Sequence, residues 1–423
     1  MKILLFTQDI TVRNFPQKYN TGFSLMVAQI ASALTAEEAD VYVSSSSLTN
    51  DTTEIYSETG EKQFTLLGRK IRYLFRYLRL KDVPRAVRHA FSAHKIPISY
   101  RIKLLKYTLS IGFAVHLIRK INPDVIFIHS IGPEVLPFIS ASLQTKKPFV
   151  IALHGIFSPG NEHNLPTQAE TRVLPQLILA GIPVTVVGSG MRKKLLEFCH
   201  RNECANIHVI PNALNIEEPP THATNDILWE KRYRILAIGN LSRQKNQLQL
   251  LRAFALLPEE IRANGQLCLI GHDSLNGELQ KEAVELGIDS ACIFTGNLPH
   301  GEVFRWIKDA GVVALASKNE GFGLSIIEAY HYGVPAVCFD HLYAFEDFYH
   351  EKCTIAIHKD SDAAVAQALE KALTQVWDKE FIRTFAKRFS NHAMASSYLG
   401  VLQQTHPSTL TEQAFNRQVD KYL

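Results

Sequence analysis

Apolar and polar positions follow two different periods along this chain. Short runs rich in Val, Ile, Leu and Phe predict β-strands, and they alternate with stretches whose apolar residues recur every three or four positions, which predicts helices. The predicted strands cover residues 2–7, 40–44, 124–129, 148–153, 183–187, 207–210, 233–238, 266–270, 291–294, 311–315 and 334–338. The predicted helices cover residues 22–35, 111–120, 134–143, 190–200, 246–256, 278–287, 301–309, 324–332 and 361–375. This alternation indicates an α/β fold with parallel sheets built from βαβ units.

A break in the pattern divides the chain into two similar halves. It contains Pro219 and Pro220, and adjacent prolines disfavour both a helix and a central strand. A length of 423 residues also exceeds what one hydrophobic core usually holds. We predict two Rossmann-like, doubly wound domains facing each other across a cleft, because ligands of such sheets bind beyond the carboxyl ends of the strands. The predicted parts are a first domain over residues 1–214, a linker over 215–231, a second domain over 232–395 and a C-terminal helical segment over 396–423, which could dock on either domain.

The strongest local motif follows the predicted strand at 311–315. There Gly321 and Gly323 bracket a tight turn before a helix. Glycines let a ligand approach the backbone closely, and the free N–H groups at a helix start favour a phosphate, so the turn predicts a diphosphate site. Glu320 lies just before the turn, and Glu328 lies about one helical turn inside the helix, where its carboxylate could accept two hydrogen bonds from a ribose. A plain strand–loop–helix with two solvated glutamates is the alternative.

The complete pattern resembles a known family signature. Seven residues, beginning with Gly321-Phe322-Gly323, lie between Glu320 and Glu328, and Ala-Tyr-His-Tyr-Gly-Val-Pro-Ala-Val follows. This resembles the retaining, nucleotide-sugar-dependent glycosyltransferases of family four (group 1), which have the GT-B fold. Four further segments match that family in order and spacing, at 209–213, 239–246, 268–271 and 293–297. The resemblance is close over residues 180–395 and loose over 1–180.

The resemblance implies roles for residues of the second half. Lys245 would neutralise the donor diphosphate, a point-charge task suited to lysine. Asn240 stands where the family often has an arginine, so Arg243 is the candidate for the second cation; an exposed basic loop is the alternative for both basic residues. Glu320 would bind hydroxyls of the donor sugar, and Glu328 would bind the ribose. Backbone N–H groups for the donor would come from the helix start, and the base-contacting turn would contain Asn297; the helix-start residues are Gly321, Phe322, Gly323, Leu324 and Ser325.

The first half is expected to supply the acceptor side of the site. His154 ends an apolar strand, and in the resembling family a histidine here approaches the donor sugar. The resemblance thus implies Glu320, His154 and Lys245 as the catalytic group. Gly22 opens a helix where the family has glycines near the donor phosphates or the acceptor. The other histidines, including His129 at a neighbouring strand end, are expected to be structural.

The first half contains a strongly basic segment. The formal net charge is only +4, from 45 Lys and Arg and 41 Asp and Glu. Residues 69–106 nevertheless hold 12 of the cations and a single acid, Asp82, so the remainder of the chain is acidic. Basic amphipathic helices with interleaved aromatics bind anionic membrane surfaces, so we predict such contact here. A solvated helical face is the alternative, and nucleic acid is not expected because no binding motif accompanies the charge. The cations are Arg69, Lys70, Arg72, Arg76, Arg79, Lys81, Arg85, Arg88, Lys95, Arg101, Lys103 and Lys106.

Other candidate chemistry is sparse in the sequence. There is no Asp-x-Asp motif and no zinc-like Cys and His spacing, so we expect neither a metal ion nor a cofactor, and a nucleoside diphosphate sugar serves as the donor substrate. Six scattered cysteines suit a reducing cytosol. No signal peptide or membrane-spanning stretch is evident, so we expect a cytoplasmic protein, peripheral on the inner face of the membrane.

The expected function is therefore a retaining hexosyltransferase of polysaccharide or glycolipid assembly. Its donor would be a uridine diphosphate sugar, the commonest in the family, and its acceptor a lipid-linked saccharide. Two classes of alternative stay open. One is a sugar-nucleotide epimerase or glycogen-phosphorylase-like enzyme of the same fold, and the other is a non-catalytic module that binds membrane surfaces.

Overall fold

The chain forms two compact units in the computed structural model. The first contains Met1–Val187, Met191–Ile210 and Asn391–Leu423, and the second contains Gly188–Gly190 and Pro211–Ser390. The predicted linker at 215–231 lies outside the described residues except for Lys231. The structure describes residues 1–8, 10, 22–45, 52–57, 60–67, 76–85, 87, 98–132, 134–155, 165–214, 231–318 and 320–422.

The first unit is built on an eight-stranded sheet. Its strands are β1 (Lys2–Thr7), β2 (Asp40–Ser45), β3 (Thr53–Tyr56), β4 (Lys62–Leu67), β5 (Val125–His129), β6 (Phe149–Leu153), β7 (Val184–Val186) and β8 (Ile207–Val209). The strand order is β3-β4-β2-β1-β5-β6-β7-β8, and only the edge pair of β3 and β4 is antiparallel. The order reverses between β1 and β5, which is where a doubly wound sheet opens a crevice for a ligand.

Helices from the part of the chain before residue 210 flank this sheet. They are α1 (Gly22–Ala36), α2 (Ile98–Ile121), α3 (Leu136–Thr145), α4 (Leu165–Gln168), α5 (Leu174–Leu179) and α6 (Ser189–Phe198). A π-helical turn at Ala169–Val173 joins α4 to α5, and a 3₁₀ turn forms at Leu80–Asp82. Every residue of β5 and β6 is buried, as expected for central parallel strands covered on both faces.

The second unit contains a six-stranded sheet that is parallel throughout. Its strands are β9 (Tyr233–Ile238), β10 (Gly265–Ile270), β11 (Cys292–Gly296), β12 (Val312–Leu315), β13 (Ala336–Phe339) and β14 (Thr354–Ile357). Their order is β11-β10-β9-β12-β13-β14, so the order reverses between β9 and β12. Its helices are α7 (Gln247–Ala255), α8 (Glu259–Ala263), α9 (Glu278–Glu285), α10 (His300–Asp309), α11 (Leu324–His331), α12 (Phe345–Phe348), α13 (Asp362–Thr374) and α14 (Lys379–Ala386), and 3₁₀ turns form at Asp289–Ala291 and Lys387–Phe389.

The second sheet is covered on both faces by these helices. Ile235 of β9 belongs to a core cluster that includes apolar residues of α7 and α13. The next residue, Leu236, belongs to a separate cluster that includes residues of α10 and α11. Because successive side chains of a strand point to opposite faces, the two clusters lie on opposite sides of the sheet. This arrangement confirms the predicted doubly wound α/β architecture.

The apolar periodicity of the sequence predicts most elements of the fold but misses some strands and one helix start. Each predicted strand and helix is present, and apart from the start of one helix the ends are shifted by only a few residues. Strands β3, β4 and β14 were not predicted, because they are short and β3 and β4 carry polar residues between their apolar ones. Helix α2 begins at Ile98, well before the predicted start at 111, since basic residues interrupt the apolar periodicity of its first half.

The C-terminal segment completes the first unit. It forms α15 (Asn391–Gln403) and α16 (Glu412–Tyr422) rather than one helix, and Pro407 lies in the break. Proline and the residue before it both disfavour helix, which explains the interruption. The side chains of Phe415 and Val419 are fully buried, so one face of α16 packs into the core of the first unit.

Ion pairs from the basic segment hold α16 in place. The guanidinium of Arg79 donates to Glu412 at 2.7 Å and to Asp82 at 2.8 Å, and it also contacts Gln144. The Arg85 guanidinium donates to Asp420 at 2.7 Å. Both arginine side chains are only 13% exposed. Among the cations of residues 69–106 that the structure describes, Arg79, Arg85 and Lys81 therefore serve the fold, since Lys81 also pairs with Glu412 at 3.3 Å.

The protonation of Glu412 follows from this environment. Burial raises the pKa of its carboxyl, but the hydrogen bonds and charges of Arg79 and Lys81 outweigh burial and hold the pKa below its ordinary value. A carboxyl whose pKa is depressed by folding stabilises the fold above its unfolded pKa. That stabilisation is lost as the pH falls through the folded pKa. Acid therefore weakens the attachment of α16.

Substitution of Glu412 tests this attachment. Glu412→Ala leaves the Arg79 charge with one carboxylate, and removing one partner of a buried pair costs about 3 kcal/mol. The amides of α16 should then exchange with solvent on the order of 100-fold faster, measured by hydrogen–deuterium exchange mass spectrometry. Glu380→Ala is the control, because that glutamate forms an exposed pair with Arg383. Unchanged exchange in α16 of Glu412→Ala would refute the role of the pair.

Candidate functional site

Two loops of the second unit meet where the strand order reverses. One follows β9 and the other follows β12, and these strands are neighbours in the sheet. The backbone N–H of Lys318 donates to the carbonyl of Gln244 at 2.9 Å and joins the loops. At the same place the Lys245 ammonium forms an ion pair with the Glu320 carboxylate. The structure thus brings together two residues that the sequence assigned separately to the donor site.

A buried amide shapes the loop that carries Lys245. The side chain of Gln247 is almost fully buried and donates to the carbonyls of Gly239 and Asn240 at 3.3 and 3.1 Å. Its oxygen accepts from the backbone N–H of Ser242 at 3.2 Å. One side chain therefore satisfies three backbone groups of the loop. Gln247 carries no sequence motif, so it could not be identified before its contacts were known.

Gly271 allows the ends of three strands to align. Its N–H donates to the carbonyl of Gly296 at the end of β11, and the N–H of Gly239 donates to Ile270 at the end of β10, both at 2.9 Å. A Cβ on Gly271 would lie 2.2 Å from the carbonyl oxygen of Gly239, and the φ angle of Gly271 is +148°. Only glycine fits both constraints. Asn297 follows directly after β11 at this edge and is exposed.

The Gly-Phe-Gly turn is anchored from the core side. The ring of Phe322 is buried and lies edge-on to Phe389 and Phe348, with centroids 6.0 and 6.4 Å apart. Gly323 adopts a left-handed conformation, with a φ angle of +86°, immediately before α11. The first N–H groups of a helix have no partner within the helix. The turn therefore holds the start of α11, with its partly exposed Leu324 and Ser325, at the crevice edge of the sheet.

The remaining donor-site candidates divide into two groups. Glu328 lies on α11, partly exposed, one turn after the helix start. Arg243, by contrast, directs its exposed guanidinium to the carboxylate of Glu278 at the start of α9, at 2.7 Å. The structure therefore brings Lys245, Glu320 and the turn together but pairs Arg243 elsewhere. Its role as a second phosphate-binding cation stays a prediction.

The first unit places its candidates at the ends of β5 and β6 and at the start of α1. His154 follows β6 directly, and His129 is the last residue of β5. Gly22 is the first residue of α1, and the neighbouring Phe23 ring lies edge-on to the His154 ring at 5.5 Å. Burial lowers the pKa of His154 to about 4 and holds the pKa of His129 well below its ordinary value, so both rings are neutral near pH 7.

Within the part of the chain that the structure describes, no group of three or more His, Cys, Asp or Glu residues is placed to hold a metal ion. All six cysteines are free thiols.

None of the helices in the described ranges combines the length and the apolar character that crossing a bilayer requires.

Family models match both halves of the chain. Residues 21–218 match the model described as Glycosyltransferase Family 4, and residues 223–390 match the model described as Glycosyl transferases group 1. The chain is also similar to solved structures over its length. It matches the lipopolysaccharide outer core galactosyltransferase WaaB with a TM-score of 0.63 and 15% identity, over 95% of this chain and 99% of that one. At this identity the match shows the fold.

Two curated relatives show sequence similarity to parts of the chain. An O-antigen chain mannosyltransferase B of Escherichia coli is 31% identical over 143 residues, which is 34% of this chain and 37% of the relative. An N-acetylgalactosamine-N,N'-diacetylbacillosaminyl-diphospho-undecaprenol 4-alpha-N-acetylgalactosaminyltransferase of Campylobacter jejuni is 26% identical over 190 residues, 44% of this chain and 49% of the relative. Each matched stretch spans less than two thirds of the relative's own length.

Substitution of Gly271 tests whether its close approach to the backbone of Gly239 is required. Gly271→Ala should destabilise the second unit by at least about 3 kcal/mol, because the new Cβ strikes a backbone oxygen in a strained conformation. Gly287→Ala is the matched control: its φ angle is +66° and its Cβ would meet no atom within 4 Å, so a cost of about 1 kcal/mol is expected. Thermal unfolding measures both variants. Equal losses would show that the approach of Gly271 to Gly239 is not a constraint.

Proposed function

Because the chain belongs to the group 1 glycosyltransferases of the GT-B fold, we propose that it transfers a sugar from a nucleoside diphosphate sugar to an acceptor hydroxyl, with retention of the anomeric configuration. One observation carries the proposal: Lys245 and Glu320 form an ion pair at the switch point of the second sheet, beside the start of α11. A cation, a carboxylate and a helix start are the groups that a diphosphate and a sugar require.

Donor binding would replace the ion pair with two new interactions. The Lys245 ammonium would move to the diphosphate, together with the N–H groups at the start of α11, and so offset the charge that develops on the leaving group. The Glu320 carboxylate would then accept hydrogen bonds from hydroxyls of the donor sugar. Glu328 would accept hydrogen bonds from the ribose, and Asn297 would lie in the turn beside the base. Because both charges find new partners, neither is left buried and unpaired.

Retention needs no nucleophile from the protein. The bond between the anomeric carbon and the diphosphate oxygen breaks, and the acceptor oxygen forms its bond on the same face. The departing phosphate takes the proton of the acceptor hydroxyl. His154 belongs to the catalytic group through the family resemblance, as a contact of the donor sugar. A uridine diphosphate hexose is the proposed donor because such donors are the commonest in the family, and no cofactor or metal ion enters the scheme.

The proposed acceptor is a lipid-linked saccharide at the cytoplasmic face of a membrane. The name of the Campylobacter jejuni relative describes an acceptor on diphospho-undecaprenol, which supports this class. The basic segment between 69 and 106 supports it further, because Leu80, Val87 and Ile102 in the segment are 83%, 50% and 47% exposed. Exposed apolar side chains among cations suit an anionic bilayer surface. Since Arg79, Lys81 and Arg85 hold α16, the other cations of the segment would carry the attraction.

Turnover distinguishes the proposal from its rivals. A transferase releases the free nucleoside diphosphate only when an acceptor is present, and an epimerase isomerises the donor without transfer. A phosphorylase-like enzyme consumes inorganic phosphate and a glucan instead. A non-catalytic module binds vesicles and turns over no donor. The anomeric configuration of the product, measured by proton NMR, tests retention separately.

Substitution of Glu320 and of Lys245 tests their proposed roles in transfer. Glu320→Ala and Lys245→Ala should each lower the rate of transfer by on the order of 100-fold or more, since each removes a charged contact to the reacting groups. Glu351→Ala and Lys371→Ala are the matched controls, because both side chains are exposed and distant in sequence from the site. Release of nucleoside diphosphate in a coupled assay measures all four. Wild-type rates in Glu320→Ala or Lys245→Ala would remove the site assignment.

The membrane contact is tested with cations that lie before the ion-paired ones. Arg69→Gln, Lys70→Gln and Arg72→Gln together should weaken binding to anionic vesicles on the order of 100-fold, because each cation near the surface contributes about 1 kcal/mol. These three residues lie outside the described part of the structure. The control is Lys308→Gln, Lys359→Gln and Lys371→Gln, three exposed cations of the second unit. Equal vesicle binding by both triple variants in a sedimentation assay would contradict the contact.

A further inference from the structure

The ion pair between Lys245 and Glu320 is shielded from water but still accessible. The two side chains are 26% and 20% exposed, whereas Arg243 and Glu278 of the other ion pair on this loop are far more exposed. Water therefore screens the attraction between Lys245 and Glu320 less than that of a surface pair. Because both side chains keep some exposed surface, a ligand can reach either charge and open the pair.

The loops around the pair hold the two charges close together. The Lys245 side chain lies along Gly239 at the end of β9, with Cε and Nζ 3.3 and 3.7 Å from the position that a Cβ on Gly239 would take. The hydrogen bond from Lys318 to Gln244 ties the loop of Glu320 to the loop of Lys245. The carboxylate is thus kept within reach of the ammonium even when another anion occupies the ammonium.

A diphosphate and the Glu320 carboxylate therefore compete for one ammonium. A diphosphate that takes the Lys245 ammonium leaves the carboxylate without its cation, in a site that water reaches only in part. Removing the partner of such a charge is costly unless the charge gains other hydrogen-bond donors. The hydroxyls of an attached sugar are such donors, and a diphosphate without a sugar brings none. The cost therefore falls on the product and not on the donor.

We propose that Glu320 is a product-release residue, which takes back the Lys245 ammonium once the sugar has left and so weakens the binding of the nucleoside diphosphate. This inference rests on the proposed function for the identity of donor and product. The competition itself requires only the ion pair and a diphosphate. It also makes the site select a sugar-bearing diphosphate over a bare one, a selectivity that comes from an unfavourable state of the wrong ligand.

Calorimetry with inorganic pyrophosphate tests the competition without a base or a sugar. Glu320→Gln preserves the shape of the side chain and removes its charge, so pyrophosphate should bind on the order of 10-fold more tightly than to the wild type. Glu320→Ser removes the same charge and should give the same gain. No gain in affinity in either variant would overturn the inference.

Asp340→Asn is the charge-matched control for this measurement. Asp340 directly follows β13, at the same edge of the sheet, and its exposed carboxylate pairs with His358. Its loss should change the affinity for pyrophosphate by less than about twofold, because the pair is exposed and leaves Lys245 and Glu320 joined. A gain as large as that of Glu320→Gln would show a general effect of charge and contradict the proposal.

The Lys245→Ala background separates competition from simple repulsion. Repulsion between the Glu320 carboxylate and a diphosphate does not need the ammonium, so it predicts that Glu320→Gln still tightens pyrophosphate binding when Lys245 is absent. Competition predicts no gain in the double variant over Lys245→Ala alone, so the two substitutions are coupled. A gain of equal size in both backgrounds would refute the competition.

Binding of UDP and of UDP-glucose tests the consequence for the reaction. UDP should bind Glu320→Gln about 10-fold more tightly than the wild type. UDP-glucose should gain less, because the substitution also weakens the bonds to the sugar hydroxyls. An unchanged ratio of the two affinities would overturn the release role. If no nucleotide sugar is turned over but pyrophosphate shows the coupled gain, the proposed function fails and the competition stands.

Discussion

Parallel strands that reverse their order bring distant parts of this chain to one point. In the second unit the reversal lies between β9 and β12, and the loops after these two strands leave the sheet in different directions. The crevice between them is where Lys245 and Glu320 meet, although 75 residues separate them along the chain. The buried amide of Gln247 shapes one loop, and the ring of Phe322 anchors the other. The proposed donor site thus depends on sheet topology first and on side chains second.

The charge of the chain has two separate uses. The small net charge of the whole chain conceals a strongly basic segment at residues 69–106. The structure shows that some of its basic side chains are largely buried. Arg79 and Arg85 are largely buried and pair with carboxylates of α16, so their charge stabilises the first unit. The membrane proposal therefore rests on the remaining cations and on the exposed Leu80. Counting cations in the sequence overestimates the charge available to an external surface.

Local pattern predicted the central strands, because parallel strands buried on both faces are continuous apolar runs. It failed for β3 and β4 at a sheet edge, where apolar residues are diluted by polar ones. Glu320 and Lys245 could be selected from the sequence because their loops carry recognisable glycine and lysine motifs, and their role in donor binding stays a prediction. The pairing of Arg243 with Glu278 and of Arg79 with Glu412 could not be predicted. Each joins segments whose proximity is set by tertiary packing, and no local signal marks the partner.

We propose above all that a nucleoside diphosphate binds at the Lys245–Glu320 pair. A crystal structure of the protein with a bound nucleoside diphosphate tests it most directly. We expect the diphosphate within hydrogen-bond distance of the Lys245 ammonium and of the N–H groups at the start of α11, with the ion pair to Glu320 opened. A diphosphate bound elsewhere, with that ion pair intact, would contradict this assignment of the donor site.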